Sequence, residues 1–320
     1  MKLLTYDELP ESTDSGRAMV HVAAFGGFPS RRAIATWRRQ SSRLAEYVGV
    51  FAVDRGEVIG QAWVERFPYT FPSGMEIISG IAGVATRRDR ARSGVARRIL
   101  EDIHRRERES GISHSTLWTN GSWGAHRLYE ELGYRDIYQP PFAARVGPSV
   151  PRPPRGSRIR AGRLSDLDAI EEVHARFAAD RWGFATRERG LSRLFVRVGD
   201  FQPRKQLLVA SANGRVSGYA VVESTPFRTI CGELASTSAG VRSRLATAVE
   251  VRAGRGAVVF QDGAVDSAGS GLRQRGYAIA PAGWFGLMGM PLSATRTRAE
   301  VVREFGTGGP RFLCFHGDRF

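Results

Sequence analysis

The sequence predicts an α/β chain built as two similar mixed-sheet (α+β) halves, and three observations carry that reading. Short β-rich runs alternate with segments whose apolar residues recur at helical spacing. A proline-rich stretch, GPSVPRPPRGS from Gly147 to Ser157, interrupts the pattern near mid-chain. Its composition suits a stiff linker rather than a packed core. After it the same order of elements restarts, at a period of about 150 residues. The predicted domains are therefore 1–147 and 158–320, with 148–157 as the linker.

In the first half, Lys2 to Tyr6 reads as a strand, and Met19 to Phe25 as a helical patch broken by AFGGFPS. Arg31 to Leu44 is a second helix candidate. Phe25, Phe28 and Trp37 are candidates for either the core or a substrate pocket. Strands follow near 47–53 and 58–66, joined by the hairpin signal Asp54-Arg55-Gly56-Glu57. Ile77 to Thr86, an apolar run containing Gly80 and Gly83, reads as a buried strand. An Arg-rich turn, RRDRARSG, ends at Gly94. Val95, Ile99, Leu100 and Ile103 then share one face of a helix to Ser110, stopped by Gly111. Ser115 to Thr119 is a further strand. Within Asn120 to Tyr134, Trp123, Leu128 and Leu132 fall on one face of a short helix closed by Gly133. A last strand pair begins at Tyr134, and Phe142 to Val146 is expected to close this sheet.

A strand, a glycine-containing turn and a helix suit an anion. The first N–H groups of a helix lack intrahelical partners and sit at the positive end of its dipole. Gly94 permits close approach to the backbone, and Arg90, Arg92 and Arg97 add positive charge. The turn is not a P-loop, because no Gly-Lys-Ser/Thr ends it, and G-x-G-x-x-G is absent.

Two blocks carry a resemblance. V-A-T precedes the turn and S-G-V-A opens the helix; L-W-T-N and then A-x-R-L-Y-x-x-L-G-Y follow the next strand. In this order and spacing they resemble the GCN5-related N-acetyltransferase (GNAT) family. The resemblance implies two GNAT-like domains in tandem and acetyl-CoA as cosubstrate. It implies direct attack by an amine in a ternary complex. The backbone of Val84, Ala85 and Thr86 would pair with the pantetheine arm. Arg92, Ser93, Gly94, Val95 and Ala96 would hold the pyrophosphate, and Asn120 would contact the cofactor. Tyr129, in the R-L-Y position, would be the general acid. Ala91 stands where the family's loop begins with Gln or Arg. For the general base, Glu76 and Glu65 are the candidates, with Glu76 preferred.

The second half repeats the order with less of the chemistry. Ser165 and acidic residues open a helix, Asn213-Gly214 marks a hairpin, and 256–260 is a strand. Leu272 to Ala278 echoes Leu128 to Tyr134. The counterpart of the cofactor turn, within Glu233 to Val249, lacks the glycine pattern, and no tyrosine matches Tyr129. This half is a diverged copy that walls the acceptor site or binds a ligand of its own. The arrangement is also similar to the mycothiol synthases, in which the C-terminal copy is active; here the intact motif is N-terminal.

Composition is that of a globular protein, with 42% hydrophobic and 25% charged residues. No apolar run nears the roughly 18 residues of a membrane span. The N-terminus turns acidic too early for a signal peptide, so the default expectation is a cytoplasmic monomer or homodimer. Cys231 and Cys314 read as buried thiols, and no histidine has metal-ligand spacing, so no metal is expected. The net charge of +15 lies mainly after residue 150, and all basic residues except Lys2 and Lys205 are arginine. The arginines are scattered rather than clustered, which makes nucleic acid a weak partner compared with a small-molecule or peptide amine. The alternative to an enzyme is a regulatory protein that binds acyl-CoA or nucleic acid without turnover.

Overall fold

The computed structural model describes residues 1–27, 30–146, 158–268, 271–283 and 285–315. Phe28 and the linker at 148–157 lie outside these residues. In the first half the elements run β1 (Lys2–Thr5), α1 (Asp14–Phe25), α2 (Arg31–Gln40), β2 (Leu44–Asp54), β3 (Glu57–Phe71) and β4 (Gly74–Thr86). They continue with α3 (Val95–Glu109), β5 (His114–Thr119), α4 (Gly124–Glu131), β6 (Arg135–Tyr138) and β7 (Pro141–Arg145). The second half begins β8 (Arg158–Ala161), α5 (Leu167–Ala178), β9 (Trp182–Gly183), α6 (Leu191–Val198), α7 (Pro203–Gln206), β10 (Leu207–Ala212), β11 (Arg215–Ser224) and β12 (Arg228–Ser236). It ends α8 (Ala239–Ala253), β13 (Ala257–Gln261), α9 (Gly263–Ala268), α10 (Gly271–Gln274), β14 (Ala278–Pro281), β15 (Gly286–Pro291), α11 (Arg298–Phe305) and β16 (Phe312–Leu313).

These elements build two mixed sheets. The first has the order β1-β2-β3-β4-β5-β15-β6, and the second β14-β7-β13-β12-β11-β10-β8. The two hairpin turns form as their sequences require. Arg55 and Gly56 take φ of 50° and 83°, and Asn213 and Gly214 take 51° and 76°, the pair of left-handed residues that a two-residue loop needs. α3 packs on β2, β3 and β4 and buries Val95, Ile99, Leu100 and Ile103 against Val50, Ala62, Val64 and Leu117. α1 and α2 cover the opposite face, where Val20 and Ile34 meet Phe51, Val58 and Trp63. In the second sheet α8 covers one face and α5 the other.

The expected closing strand is the main correction. Phe142 to Arg145 does not pair with the first sheet; β7 lies between β13 and β14 in the second. Its place is taken by β15, which inserts between β5 and β6. Each half therefore lends a strand to the other's main ladder, and the short strands β9 and β16 of the second half also join the first sheet. Met288, Met290 and Leu292 complete the core under α3, beside Tyr134 and Leu117. Packing is close at Gly289, where a Cβ would sit 2.7 Å from Ile137 Cδ1 and 3.0 Å from the Phe305 ring. β9 also pairs with β3 at Thr70 and Gly183, and a seam of Phe67, Tyr69, Phe184, Phe305 and Phe312 joins the halves.

Two smaller expectations shift. Leu44 opens β2 rather than ending a helix. Trp123 caps α4 and is 56% exposed, so it does not share the apolar face of Leu128 and Leu132. Both cysteines are buried, as expected.

Candidate functional site

β4 and β5 run parallel but pair only over Ser79–Ile81 and Ser115–Leu117. Beyond that point β4 follows β3 to Thr86, while β5 continues along β15. The two strands part, and the backbone edge of β4 from Ala82 to Thr86 that faces away from β3 pairs with no described strand. A bulge in the β3–β4 ladder between Gln61 and Trp63 bends β4 there. Gly83 accommodates it with φ of 58°, and a Cβ at Gly83 would lie 2.5 Å from Trp63 Cδ1. The sequence thus builds a crevice with Val84, Ala85 and Thr86 on its rim.

The Arg-rich turn closes the far end of this crevice. Arg92 and Gly94 both take left-handed φ, 60° and 78°. Ser93 Oγ donates to the Arg90 carbonyl at 2.6 Å and fixes the turn. Gly94 is the N-cap of α3, with no side-chain cap and no acidic residue in the first turn. Among the described hydrogen bonds, none satisfies the N–H groups of Val95, Ala96 and Arg97. The space in front of the Gly94 Cα is open, with nothing within 4 Å of a Cβ placed there. These are the requirements of a phosphate cradle, supplied by backbone amides. Of the three arginines in and beside the turn, Arg90 pairs with Asp54 and Arg97 with Glu131. Arg92 has no ion pair among the described residues.

α4 follows β5 directly and brings Tyr129 to the same end of the sheet. The ring packs against Tyr134, centroid to centroid 6.1 Å, and is 6% exposed. Its hydroxyl has no hydrogen-bond partner among the described residues and retains access to solvent. Burial pushes its pKa up to about 12. Asn120 caps the preceding turn, its Oδ1 accepting from the Ser122 N–H at 2.9 Å and from the Ser122 hydroxyl at 2.8 Å. The Asn120 amide N–H₂ stays available to a ligand.

The ring of Tyr134 anchors this corner. Its hydroxyl contacts Ser115 Oγ at 2.7 Å and His104 Nε2 at 2.9 Å. Burial first, then the charge of Arg108, lowers the His104 pKa from 6.5 to about 4. A folded-state value below the unfolded one contributes stability that is complete above pH 6.5 and lost as pH falls through 4. Replacing His104 with Gln keeps an acceptor for Tyr134 and removes the titration. Between pH 7 and pH 4, wild type should lose about 3 kcal/mol more than His104→Gln in urea unfolding. Equal losses would show that His104 takes up its proton as readily in the folded state as in the unfolded one.

The two carboxylates named as bases fare differently. Glu76 lies five residues before the last paired position of β4, roughly 16 Å along the strand from the opening. It is exposed and accepts from Ser113 Oγ at 2.5 Å. The structure does not bring it together with Tyr129. Glu65 on β3 stands opposite Gly80, next to the last β4–β5 pair. It lies on the β3 face that also carries Trp63 and forms an ion pair with Arg43 at 3.1 Å.

Sequence reading missed three features. Trp63 Nε1 and the Gln61 amide are buried beside the bulge without hydrogen-bond partners among the described residues. His126, Glu130 and Asp136 bring possible ligand atoms within 4.8 Å of one another. That trio was hidden because Asp136 comes from β6. The third feature is a large cleft in the second half, described below.

Residues 6–137 match the family model of the acetyltransferase (GNAT) domain. This part of the chain is a GNAT domain. Solved structures extend the likeness to both halves. A probable N-acyltransferase from Enterococcus faecalis is 14% identical, with TM-score 0.65, over 91% of this chain and 72% of that one. A GCN5-related N-acetyltransferase from Anabaena variabilis gives 12%, 0.67, 91% and 73%. A tandem GNAT protein from the clavulanic acid biosynthesis pathway gives 14%, 0.56, 92% and 99%. At these identities the likeness is one of fold, and that fold is the tandem GNAT arrangement. No curated protein matches the sequence. Among the described residues, no helix is long and apolar enough to cross a membrane.

Proposed function

We propose that the GNAT domain transfers an acetyl group from acetyl-CoA to an amine by direct attack. The observation that carries this reading is the open β4 edge leading into the uncapped N-terminus of α3. The rim at Val84–Thr86 pairs with the pantetheine arm as an added strand. The amides from Arg92 to Ala96, with the Arg92 guanidinium, hold the pyrophosphate. Acetyl-CoA supplies the thioester; the protein supplies orientation and proton handling.

Tyr129 faces the leaving sulfur with its unpartnered hydroxyl. An acid with a pKa of about 12 is a poor full proton donor to a thiolate near 8.5, a mismatch worth roughly 5 kcal/mol. Tyr129 therefore acts as a fixed hydrogen-bond donor to the developing thiolate charge. The proton of the attacking amine passes to Glu65, directly or through water. Glu76 is too far along β4 for that role. Glu65→Gln should lower kcat/KM by about 10²-fold or more, while Glu76→Gln stays near wild type. Thiol release from acetyl-CoA across a panel of amines measures both, with melting curves to confirm that Arg43 tolerates the change. Loss of activity in Glu76→Gln alone would reverse the assignment. No acetyl-CoA-dependent thiol release with any amine would remove the catalytic reading.

A further inference from the structure

The second sheet repeats the geometry of the first. β12 and β13 run parallel and pair only from Arg228–Cys231 to Ala257–Phe260, and a register shift lies at Val221/Val222. The cradle is missing, however. Only two residues separate β12 from α8, and Ser238 caps α8 itself, its Oγ accepting from the Val241 N–H at 3.4 Å. No anion can use that helix end as it uses α3.

What remains is a cleft of about 860 Å³ on the α5 side of this sheet, bounded by α5 and α6 and floored by β11 and β12. That volume lies within the range of small-molecule sites, about 300–1,000 Å³. Its base is a built polar cluster. Glu233 is buried and accepts from Arg187 at 2.8 and 3.1 Å and from the Tyr219 hydroxyl. His174 Nδ1 lies 3.6 Å away. Burial alone would raise the Glu233 pKa, but Arg187 and His174 outweigh it and hold the carboxyl ionised. The walls are mainly apolar, with Ile170, Leu191, Phe195 and Phe201 among them.

Charge selects the ligand. The second half holds most of the net charge of +15, yet carboxylates outnumber arginines seven to three among the residues lining this cleft. Glu172, Asp200 and Glu223 have no partner for their carboxylates among the described residues. The cleft is distinct from the acetyl-transfer crevice. The first-half residue that lines it is Thr70, five residues beyond Glu65 on β3, or roughly 17 Å along the strand.

We propose that this cleft is a second ligand site, for a small organic cation that carries an apolar body and an ammonium head. The body lies on Phe195 and Phe201, where a ring face also attracts the cation. The head meets Glu172 and Asp200 at the rim. Having lost the cradle, the diverged half senses or stores such an amine rather than acetylating it.

Dansylcadaverine, a fluorescent aromatic amine with an aminoalkyl chain, is a suitable probe, and dansyl-6-aminohexanoate is its anionic counterpart. With the full chain, the amine should give a saturable fluorescence rise, at least about tenfold tighter than the carboxylate and weakened by salt. Glu172→Gln with Asp200→Asn should weaken it by at least about tenfold. Ala175→Trp, at an exposed position of α5 that lines the cleft, should abolish the rise by filling the space. Equal binding of both probes would overturn the proposal. So would binding that survives Ala175→Trp, which would place the amine elsewhere, the acetyl-transfer crevice included.

Discussion

Tyr129→Phe should lower turnover by about 10²-fold and leave acetyl-CoA affinity nearly unchanged. The ring stays, so its packing against Tyr134 and under α3 survives. The hydroxyl has no hydrogen-bond partner among the described residues, so its removal leaves no buried group orphaned. What is lost is a donor aimed at charge that appears only in the transition state, and such losses fall on kcat rather than on binding. Because burial holds the pKa near 12, the wild-type rate should show no decline from Tyr129 ionisation below about pH 11. Steady-state kinetics with a working amine and calorimetry with CoA separate the two quantities. Wild-type turnover in the variant would remove Tyr129 from the chemistry, and lost CoA binding would make it a structural residue.

Residues 1–147 and 157–320, expressed apart, should not fold, whereas co-expression should restore a complex. The exchanged strands are the reason. Without β15 the first sheet loses the ladder between β5 and β6, leaving two bare edges. It also loses Met288, Met290 and Leu292 from the core under α3. At about 2 kcal/mol each, those side chains alone contribute roughly 6 kcal/mol. That is comparable with the whole stability of many domains, about 5–15 kcal/mol. The second sheet loses β7, whose Ala143 is fully buried beside Phe260 and Tyr277. Circular dichroism and denaturant melts would test this. Cooperative unfolding of either piece alone would show that the exchange adds little.

This exchange also marks the limit of the sequence. The local patterns were readable: β2, β3 and β4, the two hairpin turns, α3 with its four-residue apolar face, and the stops at Gly111 and Gly133. Each depends on neighbours in the chain. Which sheet receives Phe142 to Arg145 depends on partners more than a hundred residues away, and alternation along a five-residue strand does not encode them. The strand–turn–helix that carries Val84 to Thr86 and Arg92 to Ala96, and the strand–helix that carries Asn120 and Tyr129, were legible because each is one continuous run of chain. Glu76 was preferred as base from its place on the right strand. Its distance from the opening became measurable only once the β4–β5 register was known. The second-half cleft had no signal, because its walls come from α5, α6, β11, β12 and Thr70, each ordinary by itself.

The central claim is that the uncapped start of α3 holds the pyrophosphate of CoA. Gly94→Glu tests it most directly, read by calorimetric titration of the full chain with CoA. The open space at Gly94 admits a side chain, but φ of 78° strains any residue with a Cβ, so a melting curve must first show the variant folded. A carboxylate there faces the same N–H groups and repels the phosphates. Affinity should fall at least about tenfold, or about 1.4 kcal/mol, with Gly94→Ala losing much less. A folded Gly94→Glu variant that binds CoA as wild type does would contradict the account.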